Sequence, residues 1–163
     1  MTTEPVWMIE ARKHIGLAEV PGKGNNMTIT NWLVKLNYGW RDDATPWCGT
    51  FVAHCMLECG IQPPIIGARA RAWLQWGVAI LTPVVGAVVV FERKGGGHVG
   101  FVCGQDEGGN LMCLGGNQGD RVSIRPFNVS RVIGFRWPRE WPVVAVEPLP
   151  LVQSDGMVSK QEL

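Results

Sequence analysis

A chain of 163 residues can bury one core. Its composition is 46% hydrophobic and 18% charged, with 21 glycines and 11 prolines, which excludes a disordered chain and a coiled coil. A formal net charge of +1 excludes a strong field directed at nucleic acid, so no nucleic-acid partner is expected.

The first stretch, MTTEPVWMIEARKHIG, contains acidic residues and no apolar segment of the kind a secretory signal needs. Within it, residues 5–17 place Val6, Ile9, Ile15 and Leu17 between charges and predict a short amphipathic helix. EVPGKGNN (19–26) reads as a loop. MTITNWLVKLNYG follows, with Ile29, Trp32, Leu33 and Leu36 at helical spacing, and predicts a second helix ended by Gly39. A third helix is expected over 46–59. Thr45 is its cap, Pro46 its first residue and Gly60 its stop, so Cys48 falls in the first turn. ARARAWLQWG predicts a short helix at about 68–77.

The pattern then changes. GAVVVFER, HVGFVCGQ, NLMCLGGN, VSIRPF and RVIGFRW are short runs rich in Val, Ile and Phe, separated by turn residues. They predict about five antiparallel strands, and helices followed by strands indicate an α+β domain over residues 1–141. Residues 142–163, punctuated by Pro, are expected to form a tail that is extended and then mobile. The longest apolar run, ILTPVVGAVVVF, is interrupted by Pro83 and Gly86 and is too short for a membrane span. The expectation is a protein made in the cytoplasm without a signal peptide, with no integral membrane segment, and monomeric.

Five cysteines, an odd number, argue against a full disulfide framework and for reduced thiols. Cys48, Cys55 and Cys59 share one face of the third helix but are spread over about 16 Å along it. Ligands of a single tetrahedral zinc all lie about 2.0–2.3 Å from the ion, so these cysteines do not read as a metal site. No metal and no organic cofactor is expected. Cys55 and Cys59, near Phe51, Val52 and Met56, read as core, as do Cys103 and Cys113 within strands.

Cys48 differs by position. A helix start carries partial positive charge and N–H groups without intrahelical acceptors, which favour a thiolate and can hold an incipient oxyanion. A thiolate also needs a base and a group to orient that base. Of the three histidines, His14 lies on a charged face and reads as solvated, and His54 points away from Cys48 on the same helix. His98 opens a strand after a triple glycine, where no bulky neighbour blocks it. Asn117, nineteen residues later at the end of the next strand, is placed to orient the imidazole across an antiparallel pair, with Gln118 and Asp120 as competitors.

A Cys at a helix start, a His opening a strand and a polar residue on the next strand resemble the papain-like cell-wall hydrolases, which include NlpC-type peptidases and CHAP amidases and peptidases. PWCGTFV (46–52), ARAWLQWG (70–77), GHVGFV (97–102), LGGNQGDRVSI (114–124), EVPGKGNN and GFRWP (134–138) look like a subgroup found in phage lysis cassettes. The resemblance covers about residues 12–138. It implies a papain-like fold, with Cys48 as nucleophile, His98 as base and then acid, and Asn117 as orienter. The implied substrate is peptidoglycan, cut within the stem peptide or at its amide to muramic acid. Gly49 departs from the pattern, where Ala or Ser is expected.

Asp43, Trp47 and Trp73 are the candidates for lining a cleft, because indole faces suit sugar rings and an acid suits an amine on the stem. The leading expectation is a phage endolysin, made in the cytoplasm and acting on the wall after release. An interbacterial amidase toxin would share the chemistry. A catalytically silent wall-binding or phage-structural module would keep the fold without the reaction. A papain-like protease of host proteins lacks a charged partner surface and ranks last.

Overall fold

The structure is a computed structural model that describes residues 4–20, 25–38, 46–144 and 148–153. Among the described residues, three helices precede the sheet: α1 (Val6–Arg12), α2 (Met27–Lys35) and α3 (Cys48–Glu58). Helix α1 turns a different face inward from the one its aliphatic spacing predicts. Trp7, Met8 and Ala11 are buried, whereas Val6, Ile9 and Ile15 are exposed. The indole decides the orientation, because it buries the largest apolar surface on the helix and its Nε1 donates to the Gly86 carbonyl at 2.8 Å.

Helix α2 begins where Asn26 Oδ1 accepts from the N–H groups of Thr28 and Ile29. It ends at Lys35, with Asn37 taking the left-handed conformation (φ 59°) that the sequence reading reserved for Gly39, which lies outside the described residues. Helix α3 starts two residues later than expected. Trp47 occupies the N-cap position, Pro46 precedes it, and Thr45 lies outside the described residues. Gly60, at φ 73°, is the predicted stop. The expected fourth helix is a 3-10 segment over Ala70–Gln75.

Among the described residues, the sheet has six antiparallel strands where about five were expected: β1 (Val78–Ile80), β2 (Val88–Arg93), β3 (Gly96–Gln105), β4 (Leu111–Gly115), β5 (Ser123–Phe127) and β6 (Val132–Trp137). Their order is β1-β6-β2-β3-β4-β5. The additional strand, β1, has three residues at the sheet edge, too few for a period of two to show in sequence. Strands β2, β3 and β4 are buried along most of their length.

Helix α3 lies between this sheet and the layer formed by α1 and α2, so Cys48–Met56 are all buried and the helix has no polar face there. Trp7, Trp47, Trp73 and Trp137 are fully buried. Cys55, Cys103 and Cys113 are core as expected, and Cys59 is half-buried.

Part of the tail is ordered against the sheet. Gln105 N–H donates to the Pro150 carbonyl at 2.9 Å, and Val152 N–H donates to the Gln105 carbonyl at 2.8 Å, so Leu151 bridges the end of β3 in parallel. Gly104 makes this approach possible, since a Cβ there would meet the Pro150 carbonyl oxygen at 2.5 Å. Among the described residues, no helix is long and apolar enough to cross a membrane.

Candidate active site

Two elements bring the chemistry together. Helix α3 presents Cys48 at its first residue, and β3, against which α3 packs, presents His98. Cys48 is 4% exposed and His98 is fully buried. The imidazole is close enough to act on the thiol.

Burial pushes the Cys48 thiol up. His98 acts against this, together with the Val99 N–H and the Arg93 guanidinium. The opposing effects prevail and hold the thiol below its usual range. Two stacked rings fix the imidazole plane: Phe127 lies 5.3 Å from it at 10°, and Phe91, its partner in the β2–β3 register, lies at 6.2 Å and 24°.

The third group is Gln118. Its Oε1 lies 2.8 Å from His98 Nε2. The amide orientation follows from its other end, where Nε2 donates to the Ser123 carbonyl at 2.9 Å and the Cys113 carbonyl at 3.2 Å. Two carbonyls accept only from the NH2, so Oε1 must face the histidine and can only accept. His98 Nε2 therefore carries a proton, which leaves Nδ1 as the nitrogen able to exchange a proton with the thiol. Ser123 closes the loop by donating its Oγ hydrogen to the Gln118 carbonyl at 2.9 Å. Gly115 leaves the space for this arrangement, because a Cβ there would crowd the Gln118 amide carbon at 3.0 Å.

The sequence reading put Asn117 first beside His98 Nδ1, whereas the contact to the imidazole comes from Gln118 and is made at Nε2. The register explains the difference. Phe101 faces Leu114 across β3 and β4, so three further steps along a continuing ladder would set His98 opposite Asn117. The ladder stops at Gly115, however, and Asn117 adopts φ 59°. The turn brings the next side chain inward. Asn117 is buried beside it, and Asp120, also left-handed, is exposed.

The proposed cleft residues fare differently. Trp47 is 1% exposed and Trp73 0%, so neither ring offers a face to a sugar. Trp47 Nε1 donates to Glu19 Oε1 at 2.8 Å, and Trp73 Nε1 donates to the Gly67 carbonyl at 2.9 Å. Both are structural. Asp43 lies outside the described residues. Gly49, the departure from the expected pattern, is required by contact, since a Cβ there would lie against the Gly67 carbonyl oxygen and 2.7 Å from that of Ala68. Sequence reasoning did not weigh Ser123 or Phe127. The only available signal was their place on the strand beyond the LGGNQGD turn.

Residues 40–117 match the CHAP domain family model. CHAP domains are typically cysteine- and histidine-dependent amidohydrolases or peptidases acting on peptidoglycan, which agrees with a thiol beside an oriented imidazole. The α+β arrangement, with helices first and an antiparallel sheet second, is the papain-like arrangement of the CHAP fold. The CHAP match contains Cys48 and His98 and stops one residue before Gln118. No curated protein matches the chain.

Proposed function

We propose that the chain cleaves an amide or peptide bond of the peptidoglycan stem with Cys48 as nucleophile, and that it acts as a phage endolysin released onto the wall at lysis. The observation that carries the chemistry is an imidazole that acts on the Cys48 thiol and has its Nε2 held at 2.8 Å by an amide oxygen that cannot turn away.

The thiol proton passes to His98 Nδ1 as Cys48 Sγ attacks the scissile carbonyl carbon. Negative charge develops on the carbonyl oxygen near the first turn of α3, where N–H groups have no intrahelical acceptor. Collapse of this intermediate breaks the C–N bond, and His98 gives its proton to the leaving amine. Water then attacks the thioester, with His98 taking its proton, and Cys48 is regenerated. Through both steps, Gln118 keeps the imidazole in one tautomer and one orientation, and its oxygen faces the Nε2–H of the imidazolium.

The test is mass spectrometry of soluble products from purified peptidoglycan treated with the wild type and with Cys48→Ala. New amino termini within the stem identify an endopeptidase, and whole released stems identify an amidase. Products that persist in the variant overturn thiol catalysis. Absence of products from the wild type on several wall types favours a silent wall-binding module.

A further inference from the structure

The opposite side of α3 carries a second group of chemistry-bearing side chains that the proposed reaction does not use. Glu10, near the end of α1, and His14, four residues on and just past that end, face His54 in the middle of α3. The geometry points to a site for a single divalent first-row metal ion, zinc by its ligand set, bound by Glu10 Oε1, His14 Nε2 and His54 Nε2.

Three observations carry this inference. The first is spacing. Ligand atoms about 2.0–2.1 Å from a tetrahedral zinc stand about 3.3–3.4 Å apart. Glu10 Oε1 is 3.2 Å from His14 Nε2 and 3.6 Å from His54 Nε2, and all three atoms lie within 4.8 Å of one another. The third edge closes by rotating the His14 ring, which is the more exposed imidazole, with 20% of its side chain accessible against 9% for His54.

The second observation is an unmet need. His54 Nε2 is buried, points at Glu10 and has no hydrogen-bond partner. A buried imidazole nitrogen in that state is rare in a folded protein, and a metal ion would satisfy it.

The third is orientation by the surroundings. Trp32 stacks on the His54 ring at 4.5 Å and 16° and meets the His14 ring edge-on at 5.1 Å, so one indole sets both ligand planes. The other nitrogen of His54, Nδ1, faces Glu58 Oε1 at 4.0 Å, and Lys35 pairs with that carboxylate. A carboxylate behind a ligating histidine is the usual outer support of a zinc site.

Two histidines and one glutamate leave the fourth position to water, on the side where Glu10 and His14 are half-buried. His14 Nε2 now shares a proton with Glu10 Oε1, and coordination moves that proton to Nδ1 or to solvent. The ion would clamp α1 to α3, the helix that carries Cys48.

The experiment uses the full chain with Cys48→Ala, so that the reactive thiol cannot take the metal. Titrated Co2+ should saturate at one equivalent, give the visible spectrum of a tetrahedral nitrogen and oxygen site with no thiolate charge-transfer band, and be displaced by Zn2+. Zn2+ should also raise Tm. Adding Glu10→Gln or His14→Gln, both at half-buried positions, should weaken Co2+ binding by more than about tenfold and remove the rise in Tm. An octahedral spectrum, a thiolate band from Cys59, no saturable uptake, or equal affinity in both variants would each overturn the site. None of these readouts depends on catalytic activity.

Discussion

Helix α3 buries two imidazoles against its flanks, and they differ in nearly everything except burial. His98, on the sheet side, is stacked on Phe127; His54, on the α1 side, is stacked on Trp32. Both rings are fixed in plane. His98 Nε2 is held at 2.8 Å by the Gln118 oxygen, whereas His54 Nε2 has only the Glu10 carboxylate at 3.6 Å. The cysteines repeat the contrast. Burial raises both thiols, but His98 brings Cys48 below its ordinary value, while Cys55, near Glu10 and Glu58, is driven well above it. A residue type at a buried position therefore decides little. The partner on its far atom is what sets the two histidines, and the two cysteines, apart.

The comparison can be broken most sharply at the thiols. Cys48→Ala should lower the release of soluble wall fragments by at least about 10^4-fold. Cys55→Ala should leave release near wild type and cost about 1 kcal/mol or more in urea unfolding, because it opens a cavity. Equal losses in the two variants would refute the assignment. Next come the two adjacent amides. Gln118→Ala should lower kcat by about 10^2-fold or more, and Asn117→Gly, which suits φ 59°, should stay close to wild type. The opposite ranking would return the orienting role to Asn117.

A third measurement is the pH dependence of alkylation by iodoacetamide. The Cys48 value is lowered, so its thiolate should persist, and its reaction continue, as pH falls below the ordinary thiol range of about 8.5. His98→Ala should move that limb upward. Cys103, pushed up to about 12 by burial, should stay inert in the folded protein under the same conditions. The smallest expected effect is at Gly49. Gly49→Ala should cost about 1–3 kcal/mol of stability, as the Gly67–Ala68 backbone must shift. A neutral result in thermal unfolding would show that this backbone yields.

Much of this was legible in the chain. Pro46, Cys48 and Gly60 bracket a helix, and the valine-rich runs with glycine between them locate five of six strands within a few residues. These features are local, and local signals survive in one dimension. What failed was decided at a distance. The inward face of α1 is set by where Trp7 finds the Gly86 carbonyl, 79 positions away. The choice of Gln118 over Asn117 depends on where a ladder ends and on two left-handed residues that no alternation rule reveals. His14 read as solvated because its own helix is charged, yet it is half-buried against Trp32 of the next helix. The metal reading, argued over the cysteines, did not consider the group between α1 and α3, because Glu10, His14 and His54 meet only when two helices pack.

The docked tail has a mechanical consequence. Residues 148–153 are joined to the end of β3 by two backbone hydrogen bonds at Gln105, with Leu151 running parallel to that strand. His98 sits seven residues earlier on the same strand, about 23 Å away. A pull on the C-terminal end would load those two bonds in shear and peel the tail away first. Strand β3, hydrogen-bonded on both sides by β2 and β4, would hold the imidazole in place. Cargo or a tether attached behind the tail is in this way insulated from the thiol and its base.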